Sequence, residues 1–165
     1  MQRRLLLSQG ALVALTACGF QLRTVPTFAF NSLYVIAGES SPLGNELKRT
    51  LTSLGKVQVI TELALQPSAQ AILEILVEQR EKTVVGVNAA GQVREFQVRL
   101  RVRFKLRTPQ GKELIPDTEM LQQRAISFNE SAVLAKEAEE GLMYRDMQTD
   151  LVQQLMRRLA AVKTL

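Results

Sequence analysis

Within residues 94–107 the chain alternates without a break from Phe96 onward. Phe96, Val98, Leu100, Val102, Phe104 and Leu106 interleave with Gln97, Arg99, Arg101, Arg103, Lys105 and Arg107. A period of two predicts a half-buried β-strand with one apolar face. The other face carries five cations in a row, with no acid among them. Similar logic marks the neighbouring segments. Residues 71–87 place Leu73, Ile75 and Val77 on one face and Glu74, Glu78 and Arg80 on the other. Asn88 to Gln92 and Thr108 to Glu113 carry turn residues. A third strand is expected over about 113–128, irregular near Pro116 as edge strands tolerate. Together these segments predict an antiparallel meander.

Two other segments follow the helical period. After a short apolar strand, Asn31 to Ala37, Leu43, Leu47, Leu51 and Leu54 form one stripe. Ser40 or Ser41 is placed to cap this helix, Pro42 suits its first turn, and Gly55 its left-handed end. Residues 56–60 read as a further short strand and 61–70 as a loop. A long helix is expected from about Ser131 to Val162, with Leu134, Ala138, Tyr144, Met147, Leu151, Leu155 and Leu159 facing inward. Its acids Glu137, Glu139 and Glu140 come early and Arg157, Arg158 and Lys163 late, as the helix dipole favours. The order β-α-β-β-β-β-α implies an α+β two-layer sandwich: an about four-stranded, mostly antiparallel sheet with two helices on one face.

The N-terminus has a different character. Arg3 and Arg4 precede an apolar run from Leu5 to Leu15, too short to span a bilayer, and Thr16-Ala17 stand before Cys18. This is the layout of a secretory signal over residues 1–17. Cys18 is the single cysteine, so no disulfide can form within the chain. Leu15-Thr16-Ala17-Cys18 resembles the bacterial lipobox, which implies that Cys18 carries lipid and becomes the first mature residue. Gly19 after it implies sorting to the outer membrane. Residues 18–30 then form a lipidated tether, and 31–165 one domain. Without Arg3 and Arg4 the charge is about +3, so the basic strand is a local feature.

Composition narrows the chemistry. The 165 residues include no histidine. The usual general base and most zinc sites are thereby excluded, and no metal or other cofactor is expected. Glu137, Glu139, Glu140, Asp146 and Asp150 share the last helix and read as solvated charges. Residues 86–91 join two strands and open no helix, unlike a phosphate-binding loop. The chain is not expected to be an enzyme.

The row of five cations spans roughly 27 Å at about 3.4 Å per residue. Nucleic acid is the usual partner of such a row, but an exported protein meets none regularly. In the bacterial envelope the abundant polyanion is lipopolysaccharide, and arginine binds its phosphates well. Glu74 and Glu78 offer partners to some of the cations.

The stretch Cys18-Gly19-Phe20-Gln21-Leu22-Arg23, taken with residues 133–159 and their Leu134-Ala135-Lys136, resembles the LptE family of lipopolysaccharide-assembly lipoproteins. The resemblance covers essentially the whole mature chain. It implies a lipid-anchored plug in the lumen of the outer-membrane β-barrel LptD that also binds lipopolysaccharide. It implies a basic contact at Lys136. A second contact, at the tip of a hairpin, has no basic residue in Asn88-Ala89-Ala90-Gly91; Arg94 and Lys82 stand nearest. Lys136, Arg94, Arg99, Arg101, Arg103, Lys105 and Arg107 form the expected lipopolysaccharide-binding set. The alternative is a lipoprotein subunit of another envelope complex, one that transports phospholipid. A lipid-anchored envelope enzyme is a third and weaker reading.

Overall fold

The computed structural model describes residues 26–165. The signal segment 1–17, Cys18 and the first part of the tether lie outside the described residues. Five strands and two long helices appear in chain order: β1 (Ser32–Ile36), α1 (Pro42–Leu54), β2 (Gln58–Ile60), β3 (Ala71–Val87), β4 (Val93–Arg107), β5 (Glu113–Ser127) and α2 (Val133–Ala161). The strands form one sheet in the order β2-β1-β3-β4-β5.

This sheet has one strand more than the expected four, and it is mixed. β1 runs parallel to both β2 and β3, while β3, β4 and β5 form the antiparallel meander. The parallel half follows from the connections. α1 carries the chain from β1 back to β2 in the same direction, as a helical crossover must. Residues 61–70 then lead to the far side of β1, where β3 docks. Within them Leu63–Ser68 forms a 3-10 helix rather than an open loop.

Both helices pack on one face, as expected. Val98, Leu100, Val102, Phe104 and Leu106 of β4 are fully buried there. They share a core with Leu43, Leu47 and Leu51 of α1 and Met147, Leu151, Leu155 and Leu159 of α2. Phe28 and Phe30, just ahead of β1, join this core with ring centroids 5.5 Å apart. The expected tether therefore ends inside the domain. A smaller cluster of Tyr34, Ile60, Ala69 and Ile72 lies on the opposite face of β1 and β3.

The ends of α1 follow local chemistry. The Ser41 hydroxyl accepts the Gly44 amide at 2.8 Å, and Gly55 ends the helix at φ 62°. α2 departs from its expected pattern at its start. Leu134 is 82% exposed rather than inward-facing, whereas Val152 and Met156 are buried. Its first turn holds no acid, so Glu137, Glu139 and Glu140 gain little from the helix dipole.

A β-bulge shapes the site. Ile75 lies opposite Phe104, but Val77 lies opposite Arg103, so Leu76 is the extra residue. One added residue exchanges the two faces of everything beyond it. Val77 therefore lies on the cation face rather than with Leu73 and Ile75. Glu78 faces the helices, where its carboxylate accepts the Leu43 amide at 3.1 Å and the Ser41 hydroxyl. It caps α1 from the helix side of β3 and is removed from the arginines it was expected to meet.

Candidate functional site

The cation row stands on β4 between two neighbours, and both supply acids. Glu74 on β3 accepts Arg107 Nε at 2.6 Å and Lys105 Nζ at 3.0 Å. Glu81, on the same face beyond the bulge, lies 3.5 Å from Arg101. Asp117 of β5 takes the Arg103 guanidinium in a forked pair, with Nε 3.2 Å from Oδ1. Glu119 lies opposite Arg103 in register and adds to its field. Arg99 donates from Nε to the Gln97 amide oxygen at 2.8 Å.

Charge on the strand is thus not charge on the sheet. The acids missing from the row between Arg99 and Arg107 stand beside it on β3 and β5. The chemistry is visible in the titration of the groups. Burial pushes the Glu74 carboxyl up, but hydrogen bonds from Lys105 and Arg107, with their charges, bring it below its ordinary value. The hydrogen bond from Arg103 to Asp117, with the Asp117 charge, holds that guanidinium above its ordinary value. Pairs of this kind form a polar face, and their mutual contacts compete with any outside anion.

Lys136 belongs to a different surface. It lies in the first turns of α2, on the helix side of the sheet, and so across the sheet from the arginine row. Its Nζ donates to Ser127 Oγ at 3.0 Å and to Glu139 at 2.8 Å. Lys82 comes to the same corner because the bulge at Leu76 turned it to the helix side. It pairs with Glu140 at 2.6 Å and sits over the Phe96 ring, 4.4 Å from the centroid. Phe96 meets Phe128 edge to face at 5.2 Å. Lys82, Lys136, Phe96, Phe128, Val133 and Glu140 are among the residues around a cavity of about 50 Å³. Arg94 is exposed nearby, where its backbone carbonyl accepts the Phe128 amide.

The expected set of basic residues is therefore divided. Arg99, Arg101, Arg103, Lys105 and Arg107 share one face. Lys136 and Lys82 share a corner on the other, with Arg94 at its margin. Pairing with Asp117 and Glu81 was missed because register across strands decides it. The hint in the sequence was the acid-rich segment around Pro116. The role of Phe128 lay beyond the end of any periodic segment. Among the described residues, no group of acids or cysteine is placed to hold a metal ion.

A mixed sheet backed by two helices on one face defines a two-layer α+β domain. Comparison with known proteins narrows that class. The LptE family model, described as lipopolysaccharide-assembly, matches residues 24–159, and the chain belongs to this family. Its role is a non-enzymatic one in lipopolysaccharide assembly. The chain is 26% identical over 156 residues to the LPS-assembly lipoprotein LptE of Pectobacterium atrosepticum, covering 93% of this chain and 83% of that one. Among solved structures it is similar to an uncharacterized lipoprotein B of Nitrosomonas europaea. There the TM-score is 0.74 at 33% identity, over 87% of this chain and 91% of the other. The fold is also that of rare lipoprotein B of Shewanella oneidensis, with TM-score 0.66 at 18% identity over 79% and 95% of the two chains.

Proposed function

We propose that this protein is a lipoprotein of the outer membrane, held there by acyl chains on Cys18, that fills the lumen of an LptD-type β-barrel and binds lipopolysaccharide itself. Lys136, with Lys82 and Arg94, contacts the lipid's phosphates. Arg99, Arg101, Arg103, Lys105 and Arg107 form the face turned to the barrel wall.

The observation that carries this reading is the division of basic residues between two differently built surfaces. Lumens of large barrels are polar and are often plugged by protein. A broad sheet face of cations partly offset by acids complements such a wall, since its ion pairs can exchange partners with lumen side chains at little cost. The Lys136 corner offers lysines on flexible stems, and its pair to Glu139 is partly open to water, as the pairs of the row are. Exposed pairs are weak, so a multiply charged phosphate competes well with them.

The test is recovery of the native lipoprotein from detergent-solubilised membranes. A large outer-membrane β-barrel should come with it. Recovery of a phospholipid-transport complex in its place would overturn the reading. For the anchor, Cys18→Ala should leave the detergent phase in cells lacking the barrel. Retention there would contradict lipid attachment at Cys18.

A further inference from the structure

The β3–β4 hairpin runs past the Lys136 corner and changes chemistry as it does so. Lys82 and Arg94 bracket it, and from Thr83 through Val93 no residue is charged. Val84 and Val85 are each 51% exposed and Val87 is 60% exposed. Leu134, beside Val133 in the first turn of α2, is 82% exposed. Single exposed apolar residues are ordinary, but several at one end of a molecule mark a contact surface. The tip is continuous with the basic corner. Val84 lies opposite Phe96 in register, Phe96 packs on Phe128, and Lys82 covers the Phe96 ring.

We infer that this uncharged hairpin tip, with Leu134, receives the acyl chains of the same phosphorylated lipid whose phosphates Lys136 and Lys82 contact. The inference rests on the reading of the Lys136 corner given above. Two features favour a lipid over a protein wall. A barrel lumen is polar and offers nothing to four exposed aliphatic side chains. An anionic amphiphile presents phosphate and hydrocarbon in the order in which this end presents cation and valine. The cavity at the corner, about 50 Å³, is far too small for a sugar phosphate. The ligand therefore lies across the surface, head group over the lysines and chains along the tip.

The experiment uses the full-length protein with Cys18→Ser, which removes its own lipid. The probes are purified lipopolysaccharide and the phosphorylated saccharide left by complete deacylation. The unaltered tip should favour the intact lipid by about tenfold, the scale expected for covering a few aliphatic groups. Val85→Asn combined with Val87→Asn, and separately Leu134→Asn, should lower that preference without touching affinity for the saccharide. Lys136→Asp should weaken both probes alike. A valine variant that keeps the full preference overturns the inference. So does one that keeps it and loses the barrel in co-purification, since the tip would then be a protein contact. Should Lys136→Asp change neither probe while the valine variant loses the preference, the acyl contact stands and the phosphate role of Lys136 falls. The altered positions are exposed, and an unchanged urea midpoint shows that each variant is folded.

Discussion

The two basic regions of this protein differ less in charge than in what surrounds the charge. On β4, Arg101, Arg103, Lys105 and Arg107 are fixed by Glu81, Asp117 and Glu74 from both sides of the strand. Their strand is also the floor of the core, since every alternate residue from Val98 to Leu106 is fully buried. At the other corner Lys82 rests on Phe96 of an aromatic pair and Lys136 is held by Ser127, each lysine with one acid close by. The first region is architecture with charged side chains on it. The second carries cations at the edge of the fold, next to exposed apolar residues. A long run of arginines therefore identifies a strand's outer face more reliably than it identifies a ligand.

The largest expected contrast is in stability. Phe104→Ala, beneath the arginine row, should cost about 3–5 kcal/mol, as removal of a fully buried aromatic ring does. Leu134→Ala, beside the Lys136 corner, should change stability by less than about 0.5 kcal/mol. Urea unfolding of both variants measures the difference. Comparable costs would mean that the corner is as deeply built into the core as the strand.

A smaller effect separates the ion pairs themselves. Glu74 holds two cations, and Glu74→Gln should destabilise by about 1 kcal/mol, after allowing for solvent screening of charged hydrogen bonds. The pH dependence has a definite sign. The Glu74 carboxyl sits below its ordinary value in the folded protein. Its contribution is complete above the ordinary carboxylate range and is lost as pH falls through the lowered folded value. The gap in urea midpoint between the native protein and Glu74→Gln should therefore be largest near about pH 6 and shrink toward about pH 3. A gap that widens on acidification would contradict the pairing.

The smallest effect belongs to the corner. Glu139→Gln frees Lys136 of an exposed partner and should alter stability by less than about 0.5 kcal/mol. Affinity for lipopolysaccharide should rise by about twofold, since the phosphate no longer competes with a carboxylate. A fall in affinity would show that Glu139 positions Lys136 rather than competing for it.

Much of the fold was legible in the sequence. Alternation located β4 to within three residues, Asn88-Gly91 and Pro109-Gly111 located the hairpin turns, and the leucine stripe with Ser41 and Gly55 located α1. These are local signals, each carried by residues close in sequence. What escaped was set by register between segments far apart. Insertion of β1 beside β3 made half the sheet parallel, and no residue in either strand announces it. The bulge at Leu76 escaped because an extra residue inside an apolar run leaves no trace in the pattern. That single residue moved Glu78 to the cap of α1 and Lys82 to the Lys136 corner. The basic residues were therefore readable one by one, but their division between two faces was not. Leu134 was assigned inward because its spacing fits the helical stripe, although α2 has not yet reached the core at its first turn.

The claim that lipopolysaccharide engages the corner and the barrel engages the row is tested most directly by one pair of variants assayed twice. Lys136→Asp and the double variant Arg101→Glu, Arg103→Glu are each measured for lipopolysaccharide binding by the isolated protein and for co-purification with the barrel. Lys136→Asp should lose about tenfold in lipopolysaccharide affinity and keep the barrel, since it replaces one charge-assisted contact with a repulsion. The arginine variant should keep its lipopolysaccharide affinity and lose the barrel. The reverse result, with lipopolysaccharide binding lost from the row and kept at Lys136, would contradict the assignment of the two surfaces.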